Sequence, residues 1–155
     1  SGLNKPFAKD KKVGIILHQR ASHLQNALFN NVLGLPSGTL GSEILESGKK
    51  QLTDSYSSVA QIEKEKVISI VDHQGVYHVL TNKNEYKSTV VVLANKDRIQ
   101  LKNENHFIKK GLYVCGTLAG CRSQFAIAAG SGASVATDIL TLWNDGNHVK
   151  IHDKI

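Results

Sequence analysis

Residues 111–143 constrain the fold of this chain more than any other stretch. Leu112, Tyr113, Val114 and Cys115 form a short apolar run that stops at Gly116; a polar loop follows, and from Ser123 a run rich in small residues reaches Trp143 without a proline. That order predicts a buried strand, a tight turn and a helix. A helix starting there turns its free backbone N–H groups and the positive end of its dipole onto the loop, a place suited to a partly anionic ligand. Ala126, Ala128, Ala129, Gly130, Gly132, Ala133 and Ala136 leave little bulk on its first turns. Such a surface suits either a close-packed core helix or a flat ring laid against it.

The same stretch resembles the C-terminal flavin segment of the thioredoxin-reductase-like FAD oxidoreductases. In that family Gly-Ile/Leu-Phe/Tyr-Ala-x-Gly-Asp is followed by Gln-x-x-x-Ala-x-Gly-x-Gly. Here Gly111, Leu112, Tyr113, Gly116 and Thr117 are followed by Gln124, Ala128, Gly130 and Gly132. The resemblance implies that Gly116 and Thr117 lie at the ribityl and pyrophosphate end of an FAD, and that Gln124, Phe125 and Ala126 present helix N–H groups to a flavin carbonyl. Thr117 stands where the family has an aspartate. A hydroxyl still hydrogen-bonds a sugar alcohol, but it brings one oxygen and no charge.

Upstream the resemblance continues with more departures. A dinucleotide fold is expected to open with a strand and Gly-x-Gly-x-x-Gly, and no such fingerprint occurs in this sequence. Ser1-Gly2-Leu3-Asn4 resembles the end of the family's fingerprint, with Gly2 as its last glycine; the bland alternative is a cloning remnant. Residues 13–17 predict a buried strand, after which His18 stands where the family has its ribose-binding acid. Asn31 and Gly34 fall on a family Asn and Gly, and the resemblance places Asn31 beside the flavin ring. Pro36-Ser37-Gly38 reads as a turn, with Thr39 or Ser42 as the N-cap of a helix running to about Thr53. Leu40, Ile44, Leu45 and Leu52 share one of its faces.

Residues 67–71, 76–80 and 86–93 are rich in β-branched side chains and predict strands, with turns at 72–75 and 82–85. The resulting meander covers the adenosine end in the family. Residues 89–94 then read as the core strand ending Ala-Thr-Gly in the family; here Ala94, Asn95 and Lys96 stand at that ending, so a lysine replaces a glycine of close approach. Residues 97–110 form a short polar link where the family inserts an NADPH domain with a redox dithiol.

Composition narrows the alternatives. The chain has 155 residues, a formal charge of +6, 21% charged and 41% apolar residues, the profile of one globular domain. Its lysines are scattered rather than striped between aromatics, which argues against a nucleic-acid surface. No run approaches about 18 consecutive apolar residues and no charged-then-apolar leader appears, so the expectation is a cytoplasmic protein without a membrane segment. Cys115 and Cys121 are not spaced as Cys-x-x-Cys and read as two unreactive thiols, the first in a strand and the second in a loop. The seven histidines show no metal spacing. No Gly-x-Ser-x-Gly elbow or P-loop is present.

The resemblance thus implies an α/β fold: a three-layer Rossmann-like FAD-binding domain over residues 1–155, with a parallel sheet and a β-meander, lacking the first strand, the glycine fingerprint and the NADPH domain. It implies FAD as cofactor, bound through Gly2, His18, Asn31, Ala94, Asn95, Gly116, Thr117, Gln124, Phe125 and Ala126. A homo-oligomer or an N-terminal complement is expected to fill the open sheet edge beside residues 89–93. The competing expectation is a degenerate, flavin-free module serving interaction or assembly.

Overall fold

The computed structural model describes residues 3, 5–17, 23–94 and 107–150, and the chain divides into two compact units. One comprises residues 12–69 and 80–84. In it β1 (Gly14–Leu17) runs parallel to β4 (Ala60–Glu63), with Gly14 opposite Ala60 and Leu17 opposite Glu63. Parallel neighbours need a crossover, and α1 (Gly41–Ser55) supplies it. The Gln61 amide donates to the Lys49 carbonyl at 3.3 Å and to the Thr53 hydroxyl at 3.0 Å, while the Lys49 ammonium meets Glu63 at 2.9 Å, so strand and helix are tied by side chains.

The helix begins differently from the sequence expectation. Its N-cap is Leu40, not Thr39 or Ser42, and the Glu43 carboxylate accepts the Leu40 N–H at 3.1 Å. Thr39 is occupied elsewhere: its hydroxyl donates to the Pro36 carbonyl at 2.7 Å within the preceding turn. Leu28–Phe29 (β2) and Thr39–Leu40 (β3) pair antiparallel and bring Gly41 against Leu24. A Cβ at Gly41 would sit 1.7 Å from the Leu24 carbonyl oxygen, so only glycine permits this approach.

The other unit comprises residues 1–11, 70–79 and 85–155. The meander strands β5 (Val67–His73) and β6 (Val76–Thr81) run from one unit into the other, and β7 (Glu85–Ser88) completes the order β5-β6-β7. Gln74 and Gly75, at φ 54° and 89°, make the two-residue turn that matches strand twist. The single strand expected over 86–93 is broken. The Ser88 hydroxyl donates to the Val90 carbonyl at 2.6 Å and turns the chain, so β8 (Val91–Leu93) joins a second sheet.

That sheet has the order β8-β10-β9. β10 (Leu112–Val114) is parallel to β8 and antiparallel to β9 (Phe107–Lys109), a strand where the sequence predicts part of a polar link. Among the described residues β8 is an edge strand, and β1 pairs with β4, not with β8. Against β10 lies α2 (Phe125–Trp143), and Tyr113, Cys115, Val135 and Ile139 form the core, flanked by Val90 and Trp143. By length and composition alone α2 is long and apolar enough to cross a membrane, against the expectation of no membrane segment. Its glycines, alanines and hydroxyl residues dilute the apolar average without adding charge, and Asp138 is its one charged residue.

Candidate functional site at the β10–α2 junction

The junction is built from the end of β10 upward. The Cys115 N–H donates to the Leu93 carbonyl at 2.9 Å, which sets the ends of β8 and β10 side by side. Gly116 then leaves the sheet with φ 65°, and its N–H donates to the Ser131 hydroxyl at 2.8 Å. Ser131 is buried on the second turn of α2, so the loop is pinned to the helix. Residues Gly116–Ala119 make one 3₁₀ turn that ends at Gly120, which is left-handed at φ 80°. The Gly120 N–H donates to the Thr117 carbonyl and the Cys121 N–H to the Gly116 carbonyl, both at 3.2 Å. This pair of bonds is a Schellman motif, and its left-handed position favours glycine.

After the turn Gln124 is extended at φ −129°, ψ 142° and serves as the N-cap of α2 without a side-chain cap bond. The Ala128 N–H is the first to close on the helix, donating to the Gln124 carbonyl at 2.9 Å. The Gln124 N–H donates to the Arg122 carbonyl at 2.8 Å, and no acidic residue in the first turn of α2 neutralises the dipole. A Cβ placed at Gly116, Gly130 or Gly132 would meet nothing within 4 Å. The surface beside the loop is therefore open and lacks side-chain bulk. It fits a flat, partly anionic group better than a bulky globular one.

The titratable groups of the junction lie beneath this surface. Burial, helped by the neighbouring Cys121 thiol, pushes the Cys115 thiol up from its ordinary range. Burial likewise raises the Tyr113 phenol, with Asp138 and Tyr77 adding to it. Both groups are held neutral under the sheet.

The structure gathers part of the anticipated set. Gly116, Thr117, Gln124, Phe125 and Ala126 lie on the loop and the helix N-terminus, with Thr117, Gln124 and Ala126 exposed. Ala94 lies exposed just past β8. Asn31 is exposed in the turn after β2, in the other unit. Gly2, His18 and Asn95 lie outside the described residues. Sequence reasoning missed Ser131, which was absorbed into the small-residue run between Gly130 and Gly132. Its signal was a hydroxyl one helical turn and a half past the loop it holds. Among the described residues no group of three or more His, Cys, Asp or Glu is placed to hold a metal.

No family model matches the chain. The thioredoxin reductase of Treponema pallidum is 27% identical over 119 residues, covering 74% of this chain and 38% of that protein. In fold, a thioredoxin reductase from Gloeobacter violaceus superimposes with a TM-score of 0.70 at 11% identity, covering 87% of each chain. The chain is thus similar in sequence to the first of these proteins and shares the fold of the second. A ferredoxin-flavin thioredoxin reductase from Clostridium acetobutylicum, with a TM-score of 0.45 and 24% identity, covers 62% of this chain and 33% of its own. The chain spans a little over a third of the curated relative's length. The α/β class that the family resemblance implied stands with the Gloeobacter fold.

Proposed function

We propose that residues 1–155 serve as one flavin-binding module of a thioredoxin-reductase-like oxidoreductase, with FAD as the flavin. The observation that supports this reading best is the open junction: a helix N-terminus without a side-chain cap bond beside a glycine loop, with no bulk at Gly116, Gly130 or Gly132. In this reading the start of α2 at Gln124, Phe125 and Ala126 faces a ring carbonyl and the α2 dipole favours electron density there, the Gln124 N–H exchanging its 2.8 Å bond to the Arg122 carbonyl for the ligand. The Thr117 hydroxyl takes a ribityl alcohol, and Gly116 gives room for the chain to pass. The bound flavin supplies the electron-carrying chemistry. The curated relative's name supports a reductase; the flavin and the absence of an NADPH domain between residues 96 and 111 rest on the family resemblance.

One observation favours the flavin-free alternative. The Gly116 N–H is already donated to Ser131, and Thr117 offers no charge, so two potential cofactor contacts are weakened. Titration with FAD, followed by desalting and reading the flavin absorbance, separates the two. The proposed module retains FAD, and Thr117→Asp tightens it about tenfold, the difference between a charged and a neutral hydrogen bond of roughly 1–2 kcal/mol. No retained flavin in either protein, with a lowered Tm in the variant from an unpaired carboxylate, would sink the flavin reading.

A further inference from the structure

The Schellman turn after β10 has a consequence for the two cysteines that their spacing alone concealed. In such a motif the last residue, whose N–H bonds back across the turn, characteristically packs against the residue at or just before the carbonyl it reaches. Here the last residue is Cys121, the carbonyl belongs to Gly116, and the residue just before it is Cys115. Gly120, left-handed at φ 80°, is what brings Cys121 round. The electrostatic influence of the Cys121 thiol on Cys115 is an independent sign that the two groups are near in space. Cys115 is buried in the core beside Tyr113, Val135 and Ile139, whereas Cys121 is half-buried at the surface; both are free thiols.

We propose that Cys115 and Cys121 form a reversible intrachain disulfide that staples the turn Gly116–Ala119 to the end of β10. The oxidant is a small-molecule disulfide. The Cys121 thiolate attacks one of its sulfurs, forming a mixed disulfide and releasing the first thiol. Cys115 then loses its proton and attacks the Cys121 sulfur, breaking the mixed bond and releasing the second thiol. Two protein thiols are oxidised and one external disulfide is reduced to two thiols. The order follows from access, since the half-buried Cys121 thiol meets the oxidant and the buried Cys115 thiol resolves it. Closure fixes a turn whose Gly116 and Thr117 line the open junction, so the thiol state of the pair sets the mobility of that loop.

Trypsin releases both cysteines in a single peptide, residues 111–122, because it cuts after Lys110 and Arg122. The whole chain is incubated with oxidised glutathione, denatured, alkylated and digested. The expected peptide is lighter by two hydrogens and carries no alkyl group, while Cys115→Ala retains glutathione on Cys121 and Cys121→Ser leaves Cys115 alkylated. A wild-type peptide that keeps glutathione on Cys121, or that is alkylated at both positions, would overturn the proposal. The Cys121→Ser variant changes a surface residue and stands even where Cys115→Ala fails to fold. Mass is read with or without FAD present, so this result is independent of the flavin reading.

Discussion

The β10–α2 segment and the meander β5–β7 hold their shapes by opposite means. At the junction the contacts are backbone and small residues: Gly116 N–H to Ser131, Gly120 and Cys121 N–H groups back across their turn, and a helix start without a side-chain cap. Along the meander the contacts are long polar side chains. Thr81 and Asn84 donate to the two oxygens of buried Glu65, both at 2.7 Å, Lys109 meets Asp72 at 2.6 Å, and His78 meets Glu85 at 2.6 Å. A region held by backbone bonds leaves exposed side chains such as Thr117 and Gln124 to face a ligand, whereas one held by side chains has already committed them. This contrast is why the candidate site falls on the first and why the meander reads as support.

The sharpest way to break the backbone-held region is Gly111→Ala. Gly111 sits at φ 81°, and a Cβ there would come within 2.4 Å of the Thr89 carbonyl oxygen. Left-handed strain and a clash with main chain, which does not swing aside as a side chain does, should together cost about 3 kcal/mol or more. The urea unfolding midpoint measures it. A shift no larger than an ordinary surface substitution produces would show that the turn before β10 is not fixed by this approach.

The corresponding cut in the side-chain-held region is Glu65→Ala. Glu65 is 6% exposed, and its removal takes a carboxylate acceptor from the Thr81 hydroxyl, which keeps only the Asn84 carbonyl at 3.0 Å, and from the Asn84 amide, in a place where water cannot readily replace it. The expected loss is about 1–3 kcal/mol, with Glu65→Gln recovering part of it through the remaining acceptor. Equal losses for Ala and Gln would mean that the charge, not the hydrogen-bond count, holds the network.

The two regions were also unequally legible. The junction could be read because its determinants are local: an apolar run, a glycine, a proline-free run of small residues. Those symbols specify strand, turn and helix start within a few residues of each other. Even there Ser131 and the motif at Gly120 escaped, since each acts through a bond to a backbone group several residues away. The strand predicted across 86–93 failed for a related reason. Ser88 and Thr89 look like strand residues by propensity, and only the Ser88 hydroxyl bond to Val90 turns the chain there. β9 was missed because its partner is β10 across a tight turn, which no period in residues 107–109 announces. Glu65, a charged residue in a polar stretch, carried no sign of burial at all.

The mildest test separates the ion pair from the turn it sits in. The Asp72 carboxylate accepts the Gly75 N–H at 2.8 Å through Oδ1 and the Lys109 ammonium at 2.6 Å through Oδ2. The lysine contact holds the Asp72 carboxyl below the usual carboxylate range, with the Gly75 N–H adding to it, and the same pair raises the Lys109 ammonium. Asp72→Asn keeps an oxygen for Gly75 and removes only the charge pairing. A lowered carboxylate stabilises the fold above its unfolded value of about 3.9 and loses that contribution as pH falls through the lower folded value. A raised lysine contributes fully below about 10.4 and loses it as pH climbs through its folded value. The Tm gap between wild type and variant should therefore be small at neutral pH, close towards both extremes, and shrink in added salt because the pair is solvent-exposed. A gap that persists at low pH and high salt would assign Asp72 to the turn instead, and would draw the meander closer to the backbone-held junction than its side chains suggest.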